Sequence, residues 1–267
     1  MAYLQQLLPL ADIAVSREEI LAIKRHDLVP ILQDQAQLNY YAERLVQAQS
    51  VLLNPIDPKL TQDLSHTIQQ LIQALNDSKK YIKTKKFNRL QRWLGSELDF
   101  ASKQIAYYAH LERLIQRSHD LSAKLQVEMQ KSAARYHQLV GLREQMAKYI
   151  RAGKEFLREY PEFVKQQHPL DQFAQRLSKK INTLETLQSS NDIAMQQMYV
   201  REQLALGLLD RFKEAEQVLL PAWQYHLQHS QTQNVTERSD ALDASRNRLI
   251  HTLKHALEQS SQSSHPR

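Results

Sequence analysis

Cysteine is missing from this chain of 267 residues, and glycine is scarce, with four residues in all. Without a thiol, the chain can form no disulfide, no thiol redox centre and no thiolate metal site. Glycine and proline are the residues that most often form tight turns. Because the chain has only four glycines and eight prolines, we expect few turns and long regular elements. The aromatic fraction is 7%, which suits helices packed through leucine, isoleucine and alanine better than a β-sandwich.

Long apolar runs are also missing. No stretch approaches the roughly 18 apolar residues of a membrane-spanning helix. The first residues carry no basic side chain ahead of their apolar part, so we expect no secretory signal and a cytoplasmic protein. The sequence has no glycine-rich phosphate loop, no nucleophile elbow and no cysteine nucleophile. We therefore expect no enzyme, no catalytic residue and no cofactor.

Helical periodicity is the dominant signal that the sequence does contain. Apolar residues recur at spacings of three and four in two long stretches, which is typical of amphipathic helices. One stretch contains Phe173, Leu177, Ile181, Leu184, Val200, Leu204, Leu208, Phe212, Ala215 and Leu219. The other starts with Leu98, Ala101, Ile105, Tyr108, Leu111 and Ile115. We predict an all-α fold, an elongated antiparallel helical hairpin or three-helix coiled-coil bundle, with a smaller N-terminal helical region.

Local signals predict where several helices begin and end. Ser16 and Glu19 form a capping-box pattern. Pro30 suits the first turn of a helix from Ile31 to about Val51. Thr61 or Asp63 is expected to cap a third helix, and Pro221 is expected to interrupt the last long one before Trp223. The third helix should bury Leu64, Ile68, Leu71, Ile72 and Leu75. We predict an N-terminal helical region (1–78), a basic linker (79–95), a long-helix bundle (96–259) and a disordered tail (260–267).

Charge is concentrated in one place. The net charge is +6, but the stretch Lys79–Trp93 holds seven basic residues and no acidic one. Aromatic side chains are interleaved with these charges, a combination that suits an anionic membrane surface or single-stranded nucleic acid. A solvated hinge is the structural alternative, and nucleic acid is the least favoured because no recognised nucleic-acid module is present. The predicted anion-binding residues are Lys79, Lys80, Lys83, Lys85, Lys86, Arg89, Arg92 and Trp93.

Two further sets of residues have the spacing or chemistry of a site. His226 with His229 and His251 with His255 are spaced to share a helix face, as a metal pair needs. No acidic residue stands at a confirming spacing, so we predict no metal site and leave the role of these histidines open. Inward-facing cations could bind an oxyanion, although solvent-facing cations are commoner on long helices. The candidates are Arg176, Lys179, Lys180, Arg201 and Arg211.

Two weaker sets have an ordinary structural interpretation. Acid–base chemistry could use His110, Glu112, His119 and Asp120, but a solvated helix face is favoured. The side chains of Ile193, Met195 and Met198 could form an adaptable contact surface, but we predict that they fill the core.

Three motifs resemble those of a known family. They are Tyr149-Ile-Arg-Ala-Gly153, then Lys180-Ile181 with Leu184, and finally Leu220-Pro221-Ala-Trp223. With the basic stretch Phe87–Leu90, they resemble the toxic-anion-resistance proteins, the TelA-like family associated with tellurite resistance, over roughly residues 87 to 230. The chain departs from that family at Leu187 and Gln188, where a Thr-Arg pair is expected, and between Glu202 and Ala205.

The resemblance implies a cytoplasmic stress-response protein and no particular reaction. We therefore predict a non-enzymatic scaffold that binds protein partners along its long helices, with self-association as a further option. Residues 79–93 would place it at the inner face of the cytoplasmic membrane. The alternatives are an oxyanion-binding protein and a nucleic-acid-binding module.

Overall fold

The computed structural model describes residues 7–82, 96–163, 172–229 and 235–262. Within these ranges all regular structure is helical, which confirms the predicted all-α class. None of the helices in these ranges is long and apolar enough to cross a bilayer. The helices are α1 (Arg17–Ile23), α2 (Val29–Gln33), α3 (Glu43–Leu52), α4 (Pro58–Ile82), α5 (Ser96–Phe163), α6 (Phe173–Glu214), α7 (Leu220–His229) and α8 (Val235–Gln262).

Two π-helical turns join consecutive helices. Lys24–Leu28 joins α1 to α2, and Ala215–Leu219 joins α6 to α7. Each turn lies just before a proline, Pro30 or Pro221. A proline has no N–H for the carbonyl four residues earlier, and its ring collides with that carbonyl. Both carbonyls lie inside the widened turns, which relieve the collision. The regular α-helix is thus interrupted ahead of Pro221, as predicted, and the helical run resumes as α7 at Leu220.

The N-terminal region begins as predicted and then departs from the prediction. The capping box is present, with Ser16 Oγ accepting from the Glu19 amide at 3.2 Å. The predicted single helix from Ile31 to Val51 is wrong. The chain leaves α2 at Asp34, whose carboxylate accepts from the Ala36 amide, and passes through a 3-10 helix, Gln35–Tyr40.

Helix α3 is entered through an unusual backbone conformation. Ala42 has a φ of 59°, in the left-handed region. This conformation costs a residue with a Cβ roughly 1–2 kcal/mol. The neighbouring Tyr41 is buried, and its hydroxyl donates to the carbonyl of Tyr149 at 2.6 Å. We attribute the stability of the turn to this anchor.

The chain forms two compact units, each built from two separate stretches. Unit 1 comprises Met1–Pro55 with Lys131–Val200, and unit 2 comprises Ile56–Gln130 with Arg201–Arg267. Helices α5 and α6 therefore contribute to both units. The ranges predicted from the sequence are contiguous segments, and they stay a prediction.

Unit 1 is built around the first part of α6. Its predicted stripe is buried, from Phe173 through Leu177 and Ile181 to Leu184. A second cluster contains Tyr136, Leu139, Met195 and Met198. Met195 and Met198 thus fill the core as predicted, whereas Ile193 is 58% exposed and the prediction for it is wrong.

Unit 2 is built around α4. The five apolar residues predicted for its buried face are all buried. The helix begins ahead of the predicted caps, at Pro58, because Asp57 accepts from the Lys59 amide at 2.9 Å. The α4 stripe packs in one cluster with Leu111, Leu114 and Leu125 of α5, Leu208 and Phe212 of α6, Trp223 of α7, and Leu249 and Leu253 of α8.

Candidate functional site

The basic segment is described only at its start. Lys79 Nζ lies 3.3 Å from Asp243 Oδ2, and Lys80 Nζ lies 2.7 Å from Asp77 Oδ1. The hydrogen bond to Asp77 raises the pKa of Lys80. The other predicted anion-binding residues lie outside the described residues: Lys83, Lys85, Lys86, Arg89, Arg92 and Trp93. Binding of an anionic surface by this segment stays a prediction.

The five candidate oxyanion-binding cations are divided between the units, with Arg201 and Arg211 in unit 2 and the others in unit 1. Lys180 donates to the carbonyl of Asn39 at 2.6 Å, and Arg211 lies 3.3 Å from Glu214. Two of the five line clefts: Lys179 lies in one along the first part of α6, and Arg201 lines another beside the first turns of α4.

Among the side chains that the structure describes, the histidine and acid–base candidates form no common site. No group of three or more His, Asp or Glu side chains that could hold a metal is found in the described part of the chain. The side chains of His226 and His229 lie outside it. His119 Nδ1 lies 2.6 Å from Glu216 Oε1, and Glu216 is presented by the second π turn. Asp120 instead accepts from Gln116 on its own helix.

A buried polar network in unit 1 is the most developed constellation of side chains. Asn191 donates to Gln49 at 2.8 Å, Gln49 donates to Gln188 at 2.9 Å, and Gln188 donates to Asp192 at 2.7 Å. Gln49 and Gln188 are fully buried. Buried amides cost free energy unless they are hydrogen-bonded. The network therefore specifies how α3 and α6 align with each other.

The network ends at an arginine that also secures the N-terminal segment. Arg143 on α5 is 4% exposed and makes two hydrogen bonds to Asp192, of 2.8 and 2.9 Å. Its Nη2 also donates to the carbonyl of Leu8 at 2.6 Å. This arginine is neutralised by a carboxylate, so it is not a vacant anion site.

Sequence reasoning missed this network, although a signal was present. The stripe of α6 continues beyond Leu184 at the same spacing through Gln188 and Asn191 to Met195. Two polar residues in succession at core positions indicate that a complementary polar partner is required. The sequence could not show that Gln49 and Arg143 supply it, because both are distant along the chain.

The first family-like motif, Tyr149–Gly153, has a packing role in unit 1. The rings of Tyr149 and Tyr41 lie 5.3 Å apart, and burial raises the pKa of the Tyr149 hydroxyl, which lies 3.4 Å from Asp27 Oδ2. A Cβ at Gly153 would lie 2.9 Å from Ile181 Cδ1, a residue of the second motif. The two motifs therefore fit together as a close approach of α5 and α6.

Lysines also link the N-terminal helices of unit 1 to α5. Lys24 is 6% exposed and lies 3.2 Å from Glu155 and 2.8 Å from Glu159. Lys148 donates to Glu19 at 2.6 Å, and this hydrogen bond lowers the pKa of Glu19. Burial of a lysine is tolerated here because two carboxylates compensate its charge.

The start of α5 in unit 2 leaves an apolar face uncovered. Leu98 is 79% exposed and Ile105 is 70% exposed. Their predicted place in the core is therefore wrong. Tyr107 and Leu114 are buried instead, because Tyr107 stacks on Tyr81 with ring centroids 4.7 Å apart and donates to the carbonyl of Ala74 at 2.9 Å.

Comparison with known proteins finds a distant relative of this chain. The chain is similar to Protein KlaA of Escherichia coli, with 25% identity over 169 residues, which cover 61% of this chain and 65% of that protein. The match thus spans less than two thirds of the relative's length. No protein-family model matches the chain. No solved structure gives a significant match either.

Proposed function

We propose that this chain is a non-catalytic stress-response scaffold related to the toxic-anion-resistance proteins, and that it binds a protein partner through the start of α5. The resemblance of the three motifs and the similarity to Protein KlaA support the family relationship. The name of that relative states no reaction, substrate or partner. The proposal of a binding role therefore depends on the surface of this chain.

The observation that carries the proposal is the apolar face of Leu98, Ala101 and Ile105, which we call the α5 face. All three side chains are exposed. Their spacing of three and four residues places them on one side of the helix. Burying an exposed leucine or isoleucine contributes roughly 1.5–3 kcal/mol each. A partner that covers the α5 face would thus gain binding free energy without any rearrangement of unit 2.

The chemistry around the α5 face selects an amphipathic helix with acidic flanks as its partner. Such a helix places apolar side chains at spacings of three, four and seven residues against a complementary surface. Lys103 on the same helix is already paired with Asp99 at 2.8 Å, so the positive charge comes from the seven basic residues of Lys79–Trp93, which precede α5 in the sequence. Positive charge at the rim of an apolar patch favours an acidic partner and speeds association.

The basic segment adds a second, weaker contact in this proposal. Lysine and arginine near an anionic leaflet contribute about 1 kcal/mol each, and this attraction is screened by salt. The scaffold would thus meet its partner at the inner face of the cytoplasmic membrane. Salt separates the two contacts, because the apolar contact survives high ionic strength and the membrane contact does not.

The test is a pull-down of the tagged protein from its own cells, with soluble and membrane fractions kept apart and washed at low and high salt. We expect a defined protein to survive high salt with the wild type. It should be lost with the double variant Leu98→Gln and Ile105→Gln. The matched control is Ala106→Gln, an exposed alanine about 100° further around the same helix.

A parallel strain tests the basic segment. Changing Lys79, Lys80, Lys83, Lys85 and Lys86 to Gln should abolish recovery with membranes at low salt and leave the protein partner bound. Retention of the partner by the Leu98 and Ile105 variant would contradict the α5 face. Salt-sensitive binding of random duplex or single-stranded DNA would instead favour the nucleic-acid alternative.

A further inference from the structure

We infer that the cleft between Arg201 and the first turns of α4 binds a small anion through its oxygen atoms. This inference concerns unit 2 alone and does not rest on the proposed scaffold function. The cleft has a volume of about 500 Å³. That volume falls within the range of about 300–1,000 Å³ that small-molecule sites occupy.

The polar groups that line the cleft are rich in hydrogen-bond donors. They are Thr61, Gln62, Ser65, His66, Gln69 and Arg201. Hydroxyl, amide and imidazole groups can each donate to an anionic oxygen, and a guanidinium can donate twice to one carboxylate or oxyanion. Among the residues that the structure describes, no carboxylate lines this cleft. The nearby Asp57 already accepts from the Lys59 amide.

Arg201 is available for such a ligand. Its side chain is exposed and makes no hydrogen bond or ion pair with any residue of the described ranges. The residues one turn away on α6 are Gln197, Met198, Leu204 and Ala205, so no acidic neighbour lies at the spacings that would neutralise it. By contrast, Arg211 on the same helix lies 3.3 Å from Glu214.

His66 adds a second donor on the α4 side. Its Nε2 lies 3.1 Å from Nε2 of Gln70, whose amide donates. Because the amide nitrogen donates, Nε2 accepts in this contact, which leaves Nδ1 as the ring nitrogen that can donate to a ligand. His66 on α4 and Arg201 on α6 thus both contribute hydrogen-bond donors to the lining of one cleft. An anion can accept hydrogen bonds from both donors.

The rest of the lining allows two sources for that anion. Ile56 and Leu204 also line the cleft, so a short aliphatic chain on a carboxylate would bury apolar surface there. An inorganic oxyanion would use only the polar groups. The two ligands share the same charged end and differ in whether a longer chain strengthens binding.

The test is an NMR titration of the ¹⁵N-labelled full chain at constant ionic strength, followed at the backbone amides of Gln62, Ser65 and His66. The organic arm uses acetate, butyrate and hexanoate, and the inorganic arm uses phosphate, sulfate and tellurite. We expect saturable shifts at these amides. Affinity that rises from acetate to hexanoate would assign an organic carboxylate, and equal or tighter binding of an inorganic anion would assign an oxyanion.

Two variants make the titration specific. Arg201→Gln should weaken binding about tenfold or more, because a charge-assisted hydrogen bond is lost. Arg117→Gln removes the same charge from an exposed position of unit 2 and should leave the affinity unchanged. The inference is overturned if no probe saturates, or if the two variants weaken binding equally, since the shifts would then report only general charge attraction. Loss of the α5-face partner would not affect this result.

Discussion

The two units solve the problem of polar groups in opposite ways. Unit 1 buries several polar side chains and joins them by hydrogen bonds in one network, which runs from Asn191 through Gln49, Gln188 and Asp192 to Arg143. Unit 2 encloses one large apolar cluster, and polar side chains buried there bond within their own helices, as Thr67 does to the Asp63 carbonyl and Arg246 does to Asp243. Connected polar groups specify one alignment of helices, whereas apolar packing tolerates more alternatives. Unit 1 should therefore be the unit that is sensitive to single polar substitutions.

Arg143→Met should give the largest effect among the polar substitutions. It leaves Asp192 and the Leu8 carbonyl without their cationic partner, and removal of one member of a buried pair costs about 3–5 kcal/mol. Because Asp192 retains 23% exposure, we expect about 3 kcal/mol, at the lower end of that range. Urea unfolding measures this change in the free energy of unfolding.

The counterpart in unit 2 sharpens the comparison. Lys213→Met removes a hydrogen bond of 2.6 Å to Gln126 in a partly buried setting and should cost about 1 kcal/mol or less. If both variants lose the same free energy of unfolding, the polar network of unit 1 contributes no more to stability than a partly buried hydrogen bond of unit 2.

Gln49→Leu should have the next largest effect. It removes the partners of both Gln188 and Asn191, and each buried amide left unsatisfied costs about 1–3 kcal/mol. We expect a loss of about 2 kcal/mol. Adding Asn191→Leu should recover part of that loss, because apolar neighbours of similar shape replace a broken hydrogen bond. An additive further loss in the double variant would show that the two side chains are not coupled.

The glycines of α5 test the close approach of the two family-like motifs. Gly141 has open space where a Cβ would stand, so Gly141→Ala should stabilise the protein by about 1 kcal/mol through helix propensity. At Gly153 the added Cβ would lie 2.9 Å from Ile181, and Gly153→Ala should lose most of that gain. Thermal unfolding of both variants measures the difference. An equal gain at both positions would contradict tight packing at Gly153.

The sequence predicts the class of this fold and much of its core, because helical periodicity is a local property. The stripes of α4 and of the first part of α6 are buried as predicted. It fails between Ile31 and Val51, where Asp34 and the left-handed Ala42 redirect the chain. It also fails at Leu98 and Ile105, because the contacts of Tyr107 with α4 decide which face of α5 is buried.

The candidate sites were less predictable than the fold, for a physical reason. Arg201 was one of five equivalent cations in the sequence, and only its position beside α4 distinguishes it. One sign of the polar network of unit 1 was present in the sequence, where Gln188 and Asn191 interrupt the apolar stripe of α6. Their partners come from distant segments, and no local signal identifies those partners.

Each unit contains a buried tyrosine whose hydroxyl donates to a backbone carbonyl. Substituting these tyrosines should give the smallest change in the free energy of unfolding. Burial raises the pKa of Tyr41 in unit 1 and of Tyr107 in unit 2 above the ordinary value of about 10. The unfolded phenol thus loses its proton first, at about pH 10, while the folded phenol keeps it. The free energy of unfolding is therefore intact below pH 10 and falls as the pH rises above it.

Tyr41→Phe and Tyr107→Phe should each reduce that alkaline loss. Each tyrosine accounts for about 0.8 kcal/mol between pH 8 and pH 10.5, because an ordinary phenol is about three quarters ionised at the higher pH. Urea unfolding at the two pH values, with the exposed Tyr40 changed to Phe as the control, measures the effect. If only Tyr41→Phe reduces the fall in the free energy of unfolding with pH, the fold holds the buried hydroxyl protonated in unit 1 and not in unit 2. An unchanged profile in both variants would mean that neither hydroxyl is held in its protonated form by the fold.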